Sequence, residues 1–219
     1  MLKEKIYFIV GIGTDIGKTF LVENLCEKLK DSSAIKPIAS GFSDDDKESD
    51  SAKILKALRV ENSLESINAI TPWRFKDAIS PHFAAKNASQ EIDLLQVKTF
   101  CLQKISQAKK DDNFLFIEAA GGVMTPINKH KTFLDLAVEL NIPTLLVSAN
   151  YLGSISHTLC AYNALSSKSV NVEAIIINQD LPALDESAIQ NEKMAIEETI
   201  QNFSGVTTLS LQEFLKTLD

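Results

Sequence analysis

Along this chain, short runs that are apolar on both faces alternate with longer stretches in which apolar residues return every three or four positions. The short runs are Ile6–Val10, 33–39, Phe114–Ile117, Pro143–Ser148 and Val172–Ile177, with Asn68–Ile70 and Val206–Leu209 as briefer candidates, up to seven strands in all. The longer stretches predict helices over 18–30, 50–60, 93–110 and 133–140, from Leu152-Gly153-Ser154 to about Ser166, and over 185–201. Leu21, Leu25, Cys26 and Leu29 share one face of the first, and Leu94, Val97, Cys101, Ile105 and Ala108 one face of the third. Doubly apolar strands alternating with helices are the pattern of a parallel sheet covered on both sides. The expected fold is therefore α/β, a mostly parallel sheet of about seven strands with helices on both faces, in one domain over residues 1–219. Around Asn68–Ile70 the chain reads as irregular, because Thr71-Pro72 and Ser80-Pro81 carry prolines that bias the preceding residue away from helix. Ser43–Glu48 is the most polar segment and reads as an exposed acidic loop.

Charge and cysteine usage narrow the function classes. A net charge of −7 over 219 residues argues against a broad nucleic-acid surface. No stretch reaches membrane-spanning length, and the chain enters a strand directly after Lys3-Glu4-Lys5 without a leader pattern, so a cytoplasmic protein is expected. Cys26, Cys101 and Cys160 are odd in number and widely spaced without metal-ligand spacing, which predicts reduced core thiols. Trp73 and the phenylalanines are expected in the core. His82, His130 and His157 are scattered, with His130 in a solvated basic turn, and no metal is assigned to them.

The candidate chemistry begins where the first strand breaks into Gly11-Ile12-Gly13-Thr14-Asp15-Ile16-Gly17, followed by Lys18-Thr19 and a helix. Strand, glycine loop and helix form a P-loop, NTPase-like arrangement. Glycines let backbone N–H groups turn toward phosphate oxygens, and the helix start adds its positive dipole end. Lys18 can reach the β- and γ-phosphates and Thr19 can ligate Mg²⁺. The spacing is a variant, since the common pattern needs glycine at position 12. In open parallel sheets ligands sit at strand carboxyl ends. The polar residues there are Thr14 to Thr19, Lys36 and Ser40, Glu118, Tyr151 to His157, and Asn178. Glu118 suits a Mg²⁺ site with Thr19. Asp50 opens a helix and is either a second carboxylate for the metal or an N-cap. Lys36, at the end of the strand taken as adjacent to the first, is either a second cation for a transferring phosphoryl group or a solvated lysine.

Four motifs in order, G-x-G-T-D-x-G-K-T, K-P-I-A-S-G, E-A-A-G-G and L-G-S-I-S-H, make the chain resemble dethiobiotin synthetases over most of residues 6–180. The resemblance implies a homodimer that converts 7,8-diaminopelargonic acid, CO₂ (or bicarbonate) and ATP into dethiobiotin, with GTP as an alternative nucleotide. An amine becomes a carbamate, the carbamate attacks the γ-phosphate, and the second amine closes the ureido ring. It implies catalytic roles for Lys18, Lys36 and Thr14, with Thr14 also helping to align the carbamate. Nucleotide would be held by Gly13, Asp15, Ile16, Gly17, Lys18, Thr19, Phe20, Asp50, Glu118 and Gly121, with Asn178 and Gln179 at the base. Mg²⁺ would be held by Thr19, Asp50 and Glu118. Substrate would meet Thr14, Lys36, Ser40 and Gly122, with Gly153, Ser154, Ile155 and Ser156 binding its carboxylate from the partner subunit. Ser80-Pro81-His82 matches a substrate-side wall.

This chain departs from the family pattern at Asp15, where glutamate is common, and at Ala119, where a glycine is usual. Ser156 stands before His157 where asparagine is frequent, and the C-terminal segment lacks a proline-rich stretch. Partitioning-type ATPases carry an early lysine in the loop that Gly11-Ile12-Gly13 lacks, and cobalamin-pathway ligases usually carry a second, glutaminase domain for which 219 residues leave no room.

Overall fold

The structure, a computed structural model, describes residues 2–43, 48–179 and 189–218. β1 (Ile6–Gly11) feeds α1 (Lys18–Lys28), which returns as β2 (Ser32–Ile35). An excursion follows through β3 (Ile38–Ser40), α2 (Asp50–Ala57), α3 (Leu64–Ile70), β4 (Trp73–Phe75) and α4 (Pro81–Asn87). Regular alternation then resumes with α5 (Leu94–Asp111), β5 (Phe114–Glu118), α6 (Phe133–Leu140), β6 (Thr144–Ala149), α7 (Ser154–Ser166), β7 (Val172–Asn178), α8 (Ile189–Ser204), β8 (Thr208–Ser210) and α9 (Leu211–Lys216). Most of the acidic run and Asp180 lie outside the described residues.

Six strands form one parallel sheet in the order β2-β5-β1-β6-β7-β8, and β3 and β4 pair separately in a parallel two-stranded ladder. The main sheet is thus one strand smaller than expected. The run at 33–39 divides at Lys36-Pro37, because Pro37 has no N–H to continue a ladder. Lys36 N instead donates to Ile70 O at 3.1 Å, and Trp73 N to Pro37 O at 3.1 Å. Asn68–Ile70 is the end of α3 rather than a strand. Ser63 caps that helix by accepting from Ser66 N at 3.2 Å, and Ile67 and Ile70 bury one face. Ser80-Pro81 starts a helix instead of a loop, since proline is well suited to a first helical turn. The last helix, α9, is closed by a Ser210–Glu213 capping box.

The connection through α1 runs from β1 past β5 to β2. Those through α5, α6, α7 and α8 all step across the sheet in the opposite direction. Parallel crossovers are right-handed, so the two directions place helices on opposite faces. Accordingly α5, α6, α7 and α8 pack in a consecutive row, while α1 packs with α2 and α9. The direction reverses at β1, which opens a crevice at the carboxyl ends of β1 and β5.

The core is built on the central strands: Tyr7–Val10, Leu115–Ile117, Leu145–Val147 and Ile175–Ile177 are all buried. Each fully buried aliphatic side chain there contributes about 1.5–3 kcal/mol. The aromatic expectation needs correction, because Phe20, Phe83 and Phe203 are exposed. Trp73 is half-buried, edge-on to Phe100 at 5.9 Å. Cys26 and Cys101 are buried as expected, but Cys160 is exposed on α7. No helix among the described residues is long and apolar enough to cross a membrane.

Candidate active site

The glycine loop is held by contacts that only small residues permit. Gly17 has φ +100°, and a Cβ there would meet Asn178 Nδ2 at 2.3 Å. That amide donates to Ile16 O at 3.3 Å, so the end of β7 braces the loop. A Cβ on Gly122 would stand 3.0 Å from Ile12 O, which brings the segment after β5 onto the loop backbone. Gly17 caps α1 without a side chain, so the first N–H groups of that helix face the crevice unsatisfied by a cap. Asp15 sits at φ 56°, a left-handed conformation that short polar side chains tolerate best, which gives the shorter acid a local rationale. Ala119 does not have a positive φ, so its Cβ is accommodated.

Lys18 is buried, and its Nζ donates to Gly13 O at 2.7 Å. Burial, and then the charge of Lys36, lower its pKa to about 8. Lys36 directly follows β2, which is not β1's neighbour, because β5 lies between them. The break at Lys36-Pro37 leaves its side chain lining the crevice. There Lys36 Nζ donates to Glu118 Oε1 at 2.7 Å and also pairs with Asp50 Oδ2. Burial opposes the ammonium, but Glu118 and Asp50 outweigh it and raise the Lys36 pKa. For Asp50, burial likewise favours the neutral acid, and Lys36 outweighs it, so the carboxyl pKa is lowered.

Asp50 is not the cap of α2. Ser49 caps the helix, accepting from Ala52 N at 3.2 Å, which leaves the Asp50 carboxylate for Lys36. Thr19 Oγ1 donates to the same Glu118 oxygen at 2.7 Å. The other oxygen, Glu118 Oε2, is buried without a hydrogen-bond partner. Two carboxylates and a hydroxyl, with one buried oxygen unsatisfied, are the hard donors that Mg²⁺ takes. Phosphate oxygens and water would supply its remaining ligands. Among the described residues no group of three or more His, Cys, Asp or Glu converges for a metal, so this site rests on two carboxylates and a hydroxyl.

These groups share a cleft of about 740 Å³. Thr14, Asp15, Gly17, Thr19 and Phe20 line its loop side, and Ser40 and Gly121 line it from β3 and the end of β5. Gly13 and Ile16 support the loop from outside the cleft lining, as do Gly122 and Asn178. Gln179 lies outside the lining as well, and its amide donates to Glu197 Oε1 at 2.7 Å. The Gly153 turn is not part of this cleft. Gly153 caps α7 with φ +98°, Ser154 is buried, and Ser154 N donates to Tyr151 O at 2.9 Å. A buried Ser148–Thr158 hydroxyl pair at 2.6 Å ties this turn to β6.

The cleft also contains Lys53 and Thr125, which sequence reasoning passed over. Lys53 lies three residues after Asp50 and so shares its helix face, a signal that helical spacing already carried. Thr125 Oγ1 accepts from Gly122 N at 2.8 Å, a loop contact with no periodic signature.

A family model described as AAA domain matches residues 5–219. The ATP-dependent dethiobiotin synthetase BioD of Legionella pneumophila (strain Paris) is 37% identical over 187 residues, spanning 84% of this chain and 85% of its own length. The protein of the same name from Caulobacter sp. (strain K31) is 37% identical over 188 residues, covering 83% and 80%. Among solved structures, the MinD cell division protein of Aquifex aeolicus aligns with a TM-score of 0.52 at 13% identity, over 98% of this chain and 85% of that one. A ParA family ATPase from Chlorobium tepidum TLS gives 0.51 at 13% identity, over 97% and 89%. At that identity the two structures speak for the fold alone.

Proposed function

The chain belongs to the ATP-dependent dethiobiotin synthetase family, a C–N bond-forming ligase family of biotin biosynthesis, and from that premise we propose how its cleft performs the reaction. The substrates are 7,8-diaminopelargonic acid, CO₂ and ATP. One amine takes up CO₂ as a carbamate, whose oxygen attacks the γ-phosphorus and releases ADP. The second amine then attacks the mixed anhydride, forms the ureido ring and expels phosphate.

The observation that carries this reading is the convergence of two buried lysines, Lys18 and Lys36, at the crevice beside Glu118. A nucleotide-binding loop by itself needs only the first. Backbone N–H groups from Gly13 to Thr19 hold the phosphates, and Lys18 leaves the Gly13 carbonyl to pair with them. Phe20 and Gly121 flank the nucleotide, while Asn178 and Gln179 border its base. Thr19, Asp50 and Glu118 would hold Mg²⁺, which would neutralise phosphate charge. Lys36 turns its ammonium to the carbamate and the transferring phosphoryl group. Thr14 and Ser40 hydrogen-bond the reacting end of the substrate and set the carbamate oxygen in line, with Gly122 alongside.

The protein acts as one P-loop domain in the cytoplasm. A second copy supplies the Gly153–Ser156 turn, whose helix start binds the substrate carboxylate. Its position outside the cleft, with Leu152 92% exposed beside it, suits a role across an interface. Phosphate release with diaminopelargonic acid, bicarbonate, Mg²⁺ and ATP tests the function. Substrate-dependent release with formation of dethiobiotin is expected, and its absence with every nucleotide would refute the reading.

A further inference from the structure

Carbamate formation liberates a proton from the attacking amine, and the cleft's charged groups are otherwise engaged. Lys18, Lys36 and Lys53 stand there as cations, Asp50 and Glu118 are paired with Lys36, and Asp15 belongs to the phosphate loop. Ser80 also lines the cleft. Ser80 occupies the N-cap of α4, where a serine side chain ordinarily accepts from the helix backbone, yet it makes no such bond. Its Oγ lies 2.9 Å from His82 Nδ1 instead. The imidazole packs on Phe83, ring centroids 3.9 Å apart, and lines a second cavity of about 370 Å³. The Ser80–His82 pair therefore joins two cavities that are otherwise lined by different residues.

We propose that Ser80 and His82 form the relay that takes the proton from the substrate amine during carbamate formation. The inference rests on the dethiobiotin synthetase reading above. The amine lone pair forms the N–C bond to CO₂, and one C=O π pair becomes the carbamate oxyanion. The N–H proton passes to Ser80 Oγ as the Ser80 hydroxyl proton passes to His82 Nδ1. The resulting imidazolium returns its proton to water in the second cavity. The charged groups lining that cavity with His82 are Lys86 on its own helix, Glu91 before α5 and Lys129 from the turn before α6. Ser80 touches the substrate, and His82 acts through Ser80.

The experiment measures dethiobiotin formation at saturating bicarbonate by wild type, Ser80→Ala, His82→Asn and His82→Ala, each checked for wild-type melting and ATP binding. His82→Asn keeps an oxygen that can accept from Ser80 but cannot carry a proton. Its kcat should fall by about 10²-fold with little change in the KM for diaminopelargonic acid. Free imidazole should restore turnover to His82→Ala and not to Ser80→Ala, and the acid limb of the kcat profile should vanish in both His82 variants. Wild-type kcat in His82→Asn overturns the relay. So does a loss that imidazole does not restore and that leaves the pH profile unchanged. A wild-type protein that forms no dethiobiotin overturns the function and the relay together, whereas an active wild type with indifferent His82 variants overturns the relay alone.

Discussion

Lys36 donates to Glu118 Oε1 at 2.7 Å, with side-chain exposures of only 7% and 0%. The ion pair links the carboxyl ends of β2 and β5 beneath the crevice. Removing the ammonium leaves Glu118 buried without its cation, a defect that costs about 3–5 kcal/mol. Asp50, whose side chain is 43% exposed, suffers less. Lys36→Met should therefore lower the melting temperature by roughly 10 °C in a chain of this size. Added Mg²⁺ should raise the melting point of the variant more than that of wild type, because the metal restores the missing positive charge. Phosphate release should fall by about 10²–10³-fold. Thermal melts with and without Mg²⁺, together with turnover, check both statements. Near-normal turnover would remove Lys36 from the reaction.

Gly17 and Gly205 both have positive φ, +100° and +69°, but differ in surroundings. A Cβ on Gly17 meets Asn178 Nδ2 at 2.3 Å, whereas one on Gly205 meets nothing within 4 Å. Both alanine variants should lose about 1–3 kcal/mol from backbone strain. Only Gly17→Ala should also weaken ATP binding, by displacing Asn178 and the loop it braces. Denaturation curves and nucleotide titrations on the two variants separate these effects.

Burial pushes the Cys26 and Cys101 thiols from 9.0 up to about 12. The unfolded chain loses these protons first as pH rises, so stability should be full below pH 9 and decline progressively toward pH 12. Tyr7, raised by burial and then by its bond to Glu173, adds to the same alkaline loss. Replacing both cysteines with alanine should flatten the decline of melting temperature over that range. At pH 8 a thiol reagent should titrate Cys160 rapidly, and the other two only in denaturant.

Nucleotide choice should be loose. Asn178 braces Ile16 and Gln179 is bonded to Glu197, so both amides are engaged with protein near the expected base position. A pocket that hydrogen-bonds its ligand's polar edge discriminates by about 10⁴-fold or more. The kcat/KM ratio of ATP to GTP should fall well below that, and strict ATP dependence would show that other groups read the base.

The parallel sheet, the phosphate loop and the acidic end of β5 were legible because each rests on a local signal. These are a doubly apolar run, glycines where a Cβ would collide, and a charge closing an apolar strand. Apart from α2, the excursion between β2 and α5 was not. Its strands are three residues each, too short for a period to register, and their partner is each other rather than the main sheet. The same excursion carries Ser40, Asp50, Lys53 and Ser80 to the cleft; all but Lys53 were legible as motif residues, though the path that brings them there was not.

By itself the sequence determined which residues could bear phosphate, metal and acid–base chemistry, because those capacities belong to side-chain type and near neighbours in the chain. It also determined the alternation that makes a covered parallel sheet, since burial on both faces is written into each strand. Only the tertiary structure decided strand order, which placed β5 between β1 and β2 and brought Lys36 onto Glu118 across 82 residues of chain. It also decided that Ser49 rather than Asp50 caps α2, and that the Ser80 side chain bonds the His82 ring instead of the backbone of its helix. These choices depend on which side chains meet after crossovers and turns have closed, and no local period encodes such meetings.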